Sequence, residues 1–106
     1  MPDEFRVCAE RELEYRDSSS GASGKVVVRI GVPEPDGTHW RCATQLSGAP
    51  RLGEVFFAHG EDSLQALQLA LDAIAIQLKA LGKGGVLTWD GESEIGVREP
   101  DPLAGY

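Results

Sequence analysis

The sequence is short of the residues on which most protein chemistry depends. It holds two cysteines, Cys8 and Cys42, and two histidines, His39 and His59, in 106 residues. Two widely separated cysteines make no disulfide framework, so free, reduced thiols are expected. None of the four residues lies at the C-x2-C or H-x3-H spacing that sets two zinc ligands on one turn, and no metal is expected. A thiol enzyme would have to pair Cys42 with His59 or His39. His39 reads better as a loop residue and His59 as the end of a strand. No enzyme and no cofactor is therefore expected.

Basic residues are scarce as well. Ten Lys and Arg stand against seventeen Asp and Glu, a net charge of −7. Phosphate binding needs clustered cations, so a nucleic-acid partner is excluded from the expectations. No apolar run approaches the ~20 residues of a membrane span, and no hydrophobic leader region follows the opening MPDEFR. These absences predict a cytoplasmic chain with no membrane partner. There is no internal repeat. The glycine-rich Gly82–Gly85 follows a helix and precedes a strand, the reverse of a phosphate-binding loop.

What is present reads as one domain. The apolar share of 42% and charged share of 25% are ordinary for a globular chain. A single domain over residues 1–98 is expected, with 99–106, which contains Pro100 and Pro102, as a flexible tail.

The chain is organised around a helix from Asp62 to Leu81. Asp62 is an N-cap candidate and Gln65 completes a capping box. Lys79 falls in the last turn and Gly82 follows as a C′ glycine. Leu64, Leu67, Leu71, Ile74, Leu78 and Leu81 recur at spacings of three and four, the pattern of a core-facing stripe. Leu69 and Ile76, beside Ala66, Ala73 and Ala80, form a second apolar strip. The predicted partner-binding residues are Leu69, Asp72 and Ile76 on that side. Glu10, Glu12 and Glu14 form a second, acidic patch.

Strands surround the helix. Residues 5–15 alternate, with Arg11 breaking the inner face, which predicts a bulge or a pairing that begins near Ala9. Asp17 to Gly24 reads as a mobile loop. Lys25 to Val32 is the strongest strand, with Val26, Val28, Ile30 and Val32 on one face. Pro33 to Gly37 is a turn, Trp40 to Leu46 a third strand, and Glu54 to Ala58 a fourth. Val86 to Trp89 is a fifth, Asp90 to Glu92 a turn, and Ile95 with Val97 an edge strand. Short links favour an antiparallel meander. The expected fold is α+β: a two-layer sandwich of four or five strands, in the order β-β-β-β-α-β, covered by one long helix.

Three stretches carry a resemblance. VRIGVPEPDGTHWRC (Val28 to Cys42), HGEDSLQALQLALDAI (His59 to Ile74) and LTWDGE (Leu87 to Glu92) resemble a family of short bacterial proteins of unknown function, over roughly residues 9 to 98. That resemblance implies a stand-alone bacterial protein and brings no activity. GEDSLQALQLALDAI (Gly60 to Ile74) is similar to the strand-helix junction of HicB-type antitoxins, which place a helix on a small antiparallel sheet and bind a small basic toxin. The expected function is non-enzymatic binding of a protein, immunity-like or antitoxin-like, with a basic partner suited to the charge. The alternative is a homodimer with a small-ligand pocket between sheet and helix.

Overall fold

The structure, a computed structural model, describes residues 5–48 and 53–98. The expected tail at 99–106 lies outside these residues, as does part of the Ser47–Gly53 connection. Among the described residues, six strands and one helix follow in the order β1 Val7–Asp17, β2 Ser23–Gly31, β3 Glu34–Asp36, β4 His39–Ser47, β5 Val55–Gly60, α1 Ser63–Leu81 and β6 Gly85–Thr88. All pairings are antiparallel. The α+β two-layer architecture is as expected. The extra strand, β3, lies where a turn was read: Glu34 to Asp36 pair with Arg41 to His39.

The pairings define a sheet five strands wide. Thr44 faces Ile30 across one edge of β4 and Phe56 across the other. Trp40 likewise faces Pro35 and Gly60. β3 therefore continues the line of β2 past the Val32-Pro33 interruption, and the sheet runs β5, β4, β2 with β3, β1, β6.

β-Branched Val26, Val28 and Ile30 alternate inward with Leu13, Cys42 and Leu46, all buried. Helix α1 covers them with Ala66, Ala70, Ile74 and Leu78. The leucine stripe is only partly the core face, which corrects the sequence reading. Leu67 and Leu81 are half-buried, but Leu64 and Leu71 are 61% and 49% exposed. The physical reason is close approach. At i, i+4 spacing, Ala66 and Ala70 let the backbone sit low on the sheet, and the larger leucines are turned to the flanks. Gly60 serves the same contact, because a Cβ there would collide with the Ala66 amide.

The N-cap is as read, but the Gln65 return bond goes to the residue before the cap, and the C-terminal end differs. Asp62 Oδ1 accepts from the Gln65 amide at 2.7 Å, and Gln65 Oε1 accepts from the Glu61 amide at 2.7 Å. Gly82, however, is right-handed at φ −65°, so its glycine character is not what ends the helix. The N–H groups of Gly82, Lys83 and Gly84 still donate to Leu78, Ala80 and Leu81, a tightened last turn. By length and mean hydropathy (1.3) this helix would pass as a membrane span, which the reading of apolar runs overlooked. In the fold it is the cover of the sheet.

α1 packs on β4 and β5 and barely reaches β2. The other half of the inner sheet face is covered by an irregular strap, Trp89 to Arg98. It begins in a tight reversal: Trp89 and Glu92 exchange both backbone hydrogen bonds at 2.9 Å, with Asp90 and Gly91 both at positive φ. Ile95 and Val97 pack on the core without joining the sheet, so the predicted edge strand is absent from the described residues. Arg11 fastens the strap. Its guanidinium lies 3.6 Å over the Trp89 ring, and Nη1 donates to the Ile95 carbonyl at 3.1 Å. The bulge of β1 falls between Val7 and Ala9, while Arg11 keeps regular register with Val28.

The Asp17 to Gly24 stretch is a closed turn where a mobile loop was expected. Asp17 Oδ2 accepts from the Ser20 amide at 2.9 Å and from its hydroxyl at 2.8 Å. These bonds to the ionised form, led by the Ser20 amide, hold the Asp17 carboxyl below the usual carboxylate range.

Candidate interaction surface

The groups with chemical reactivity do not converge. Cys42 faces the helix, whereas His39 and Arg41, alternate residues of β4, and His59, directly paired with Arg41, face the opposite side. A Cys42-His pair is thereby ruled out by the pleat. Both thiols are free. Cys8 Sγ and Cys42 Sγ each donate to the Gly31 carbonyl, at 3.4 and 3.2 Å. Burial, helped by the neighbouring Cys8, pushes the Cys42 thiol up to about 11. At neutral pH it is a protonated core side chain, not a nucleophile. Among the described residues no three His, Cys, Asp or Glu side chains gather as metal ligands.

The outer sheet face is a field of exposed ion pairs. Glu12 holds Lys25 at 2.6 Å, Glu10 holds Arg29 at 3.1 Å, and Glu34 holds Arg41 at 2.7 Å. His59 Nε2 lies 3.6 Å from Asp36. Two of the three carboxylates in the predicted acidic patch are thus already paired with cations of the same chain. Glu12, with Glu14 behind it, also raises the Lys25 ammonium above its ordinary range. Phe5 and Ala43 both close on Gly31 on this face, where a Cβ would meet each of them, and Ala43 is buried there.

The predicted partner residues sit on one flank of α1. Leu69 and Asp72 are half-buried, and Ile76 is 61% exposed. Asp72 has an interaction within the chain. At 100° per residue, Leu69, Ala73, Ile76 and Ala80 fall on the same flank. Ala80 and Gln77 line a groove of about 490 Å³ with Phe56 of β5 and Glu54 just before it, so this flank overhangs β5. The opposite flank, Leu71 and Ile74, faces Val28, Ile30 and Val97 across a second cleft of about 310 Å³.

Sequence reasoning missed β5 as an edge. Only topology reveals that its outer side is unpaired among the described residues. The direction of its amides follows from the register. The Val32 amide donates to Arg6 on the β1 side at 2.8 Å, and the Gly31 carbonyl accepts from Cys42 on the β4 side. Neighbouring residues alternate. Arg29 and Gln45 therefore point at each other, and Thr44 and Phe56 form the next bonded pair. The N–H and C=O groups of Val55, Phe57 and His59 point off the sheet. Phe56, on the helix side, and Phe57, on the outer side, are 52% and 40% exposed. Arg41 lies 4.4 Å over the Phe57 ring.

Among the described residues the chain is a small α+β scaffold, an antiparallel sheet under one off-centre helix, with exposed Phe56 and Phe57 on a strand edge that no described strand pairs. A family model described as a domain of unknown function, DUF6968, matches residues 9–98, and the chain belongs to that family. No curated protein and no solved structure matches it.

Proposed function

We propose that the protein works by non-enzymatic binding of another protein chain, through the Leu69, Asp72 and Ile76 flank of α1 together with the β5 edge. The observation that carries this reading is a strand edge unpaired by any described strand that bears exposed Phe56 and Phe57, with Ala80, on the same flank as Ile76, lining a groove against Phe56. Exposed apolar patches of this kind mark interaction sites. Unpaired edges bind chains by adding a strand. In its heterotypic form the role is immunity-like or antitoxin-like, in a bacterial cytoplasm, with a basic partner suited to the net charge of −7. The similarity of the strand-helix junction to HicB-type antitoxins stands behind that form as a fold analogy only.

The test is affinity capture of the tagged protein from source-cell lysate at low and moderate salt, with Ile76→Glu as control. A stoichiometric protein that is lost in the variant and weakened by salt supports the reading. Capture unchanged by Ile76→Glu moves the contact to another face. A second reading, a homodimer with a small-ligand pocket, is favoured by the cleft between Leu71, Ile74, Val28 and Val97. It predicts a small molecule released from the purified protein on denaturation, detectable by mass spectrometry.

A further inference from the structure

We infer that the occupant of this surface is a second copy of the same chain, joined β5 to β5 antiparallel about a twofold axis at Phe57. This rests on the reading that edge and flank are a contact surface, and it names what binds there.

The other edges are blunted in the ways that keep sheets from joining. β3 is three residues long and contains Pro35. β6 has four residues. The stretch of β1 beyond β6 carries the bulge near Cys8 and the carboxylates Glu10 and Glu12. β5 has six residues, no proline, no bulge and no acidic or basic side chain but His59.

The outward amides fix the register. Val55, Phe57 and His59 can all bond only if Phe57 meets its own copy and Val55 meets His59 of the second chain. Each directly opposed pair exchanges two bonds, so the three pairs make about six. Charge agrees with that register. Glu54 then lies opposite Gly60 and Glu61 opposite Gly53, so no carboxylate faces another. The one arrangement that would oppose Glu54 to Glu61 pairs odd with even residues and breaks the bonding.

The helices agree as well. α1 lies over β4 and β5, which at ~4.8 Å between strands puts its axis about 5 Å from the twofold axis. The two helices would then run about 10 Å apart, the upper end of the 8–10 Å of packed helices. The facing flank carries Ala73 and Ala80, small enough for that approach, with Leu69 and Ile76 as the larger contacts. Phe56, Phe57 and Ile76 offer roughly 300 Å² of apolar side chain per copy. With the edge backbone and the alanine flank, the pair buries about 1,000 Å², the lower bound for a specific interface. The result is a sheet ten strands wide with both helices on one face, in a monomer–dimer equilibrium with a dissociation constant on the order of micromolar.

The experiment is analytical ultracentrifugation of the wild type across about 1 to 500 μM, with three variants at exposed positions whose folding is checked by circular dichroism. The wild type should pass from 11.4 kDa to twice that mass. Ile76→Glu should stay monomeric over the whole range. Phe57→Cys, in a Cys8→Ser background, should cross-link to a covalent dimer under mild oxidation, because opposed bonded pairs have Cα atoms about 5.5 Å apart. Phe56→Cys should not, since it faces Ala58 of the other copy. A wild type that is monomeric throughout overturns the inference. So does a dimer that survives Ile76→Glu and fails to cross-link at position 57. A monomer that still captures a different protein, lost in Ile76→Glu, overturns the self-pairing and leaves the binding surface standing.

Discussion

Replacing Leu78 and Leu71 separately by alanine measures how the helix is rotated on the sheet. Leu78 is 2% exposed in the cluster with Leu46 and Val28, and Leu71 is 49% exposed on the flank. Each substitution removes three carbons, worth ~0.8 kcal/mol apiece when fully buried. For Leu78 that is about 2.4 kcal/mol, and the enclosed void raises the loss to roughly 3–5 kcal/mol. For Leu71 about half of the transfer remains, water fills the gap, and alanine returns a few tenths through helix propensity. The expected loss is about 0.5–1 kcal/mol. At ~4–8 °C per kcal/mol for a domain of this size, Leu78→Ala lowers Tm by at least about 12 °C and Leu71→Ala by no more than about 8 °C. Urea unfolding followed by far-ultraviolet circular dichroism gives both values, at one protein concentration so that association does not enter. Equal losses would refute the rotation, and the leucine stripe would be the core face after all.

Four further outcomes follow from the same contacts. Asp62→Ala removes the carboxylate that accepts from Gln65 and should lower stability by about 1 kcal/mol in the same urea assay. Arg11→Lys loses the planar stack on Trp89 and the bond to Ile95; it should cost roughly 1 kcal/mol, shift the tryptophan emission and speed amide exchange in 89–98 before the strands respond. Iodoacetamide at pH 8 should label Cys8 quickly and leave Cys42 unmodified until the chain unfolds, read by intact mass. Cys42 also sets a pH slope. Its folded pKa of about 11 exceeds the ordinary 9.0, so the folded state holds the proton longer and stability falls as pH rises from about 9 to about 11. Cys42→Ala should lose that part of the slope in urea titrations across this window.

Much of the fold was legible because it is local. Val26, Val28 and Ile30 announce a strand by alternation, and Asp62 with Gln65 announces a helix start by spacing. The rotation of α1 was not, because periodicity ranks residues by size and the contact selected for smallness at Ala66 and Ala70. β3 was hidden for a related reason: Glu34-Pro35-Asp36 has no strand propensity, and it pairs only because β4 runs on beneath it. Arg11 looked like a flaw in an inner face, since its partners, Trp89 and Ile95, lie at the far end of the chain. Of the candidate surface, Leu69 and Ile76 could be found as a second apolar strip. The β5 edge could not, because an edge is a property of strand order, and strand order is not written in any one segment.

The strap fastened by Arg11 has a consequence for how the protein breathes. Half of the core lies under a helix whose loss would unfold the molecule, and half lies under a segment that makes no strand pairs with the sheet. Lifting Trp89 to Arg98 would uncover Val28 and Ile30 while every ladder stayed intact. Amide exchange faster in 89–98 than in the strands would reveal such a partial opening. In that opened form the cleft beside Leu71 would widen, and a molecule that filled it would act by holding the strap away from a sheet that never moved.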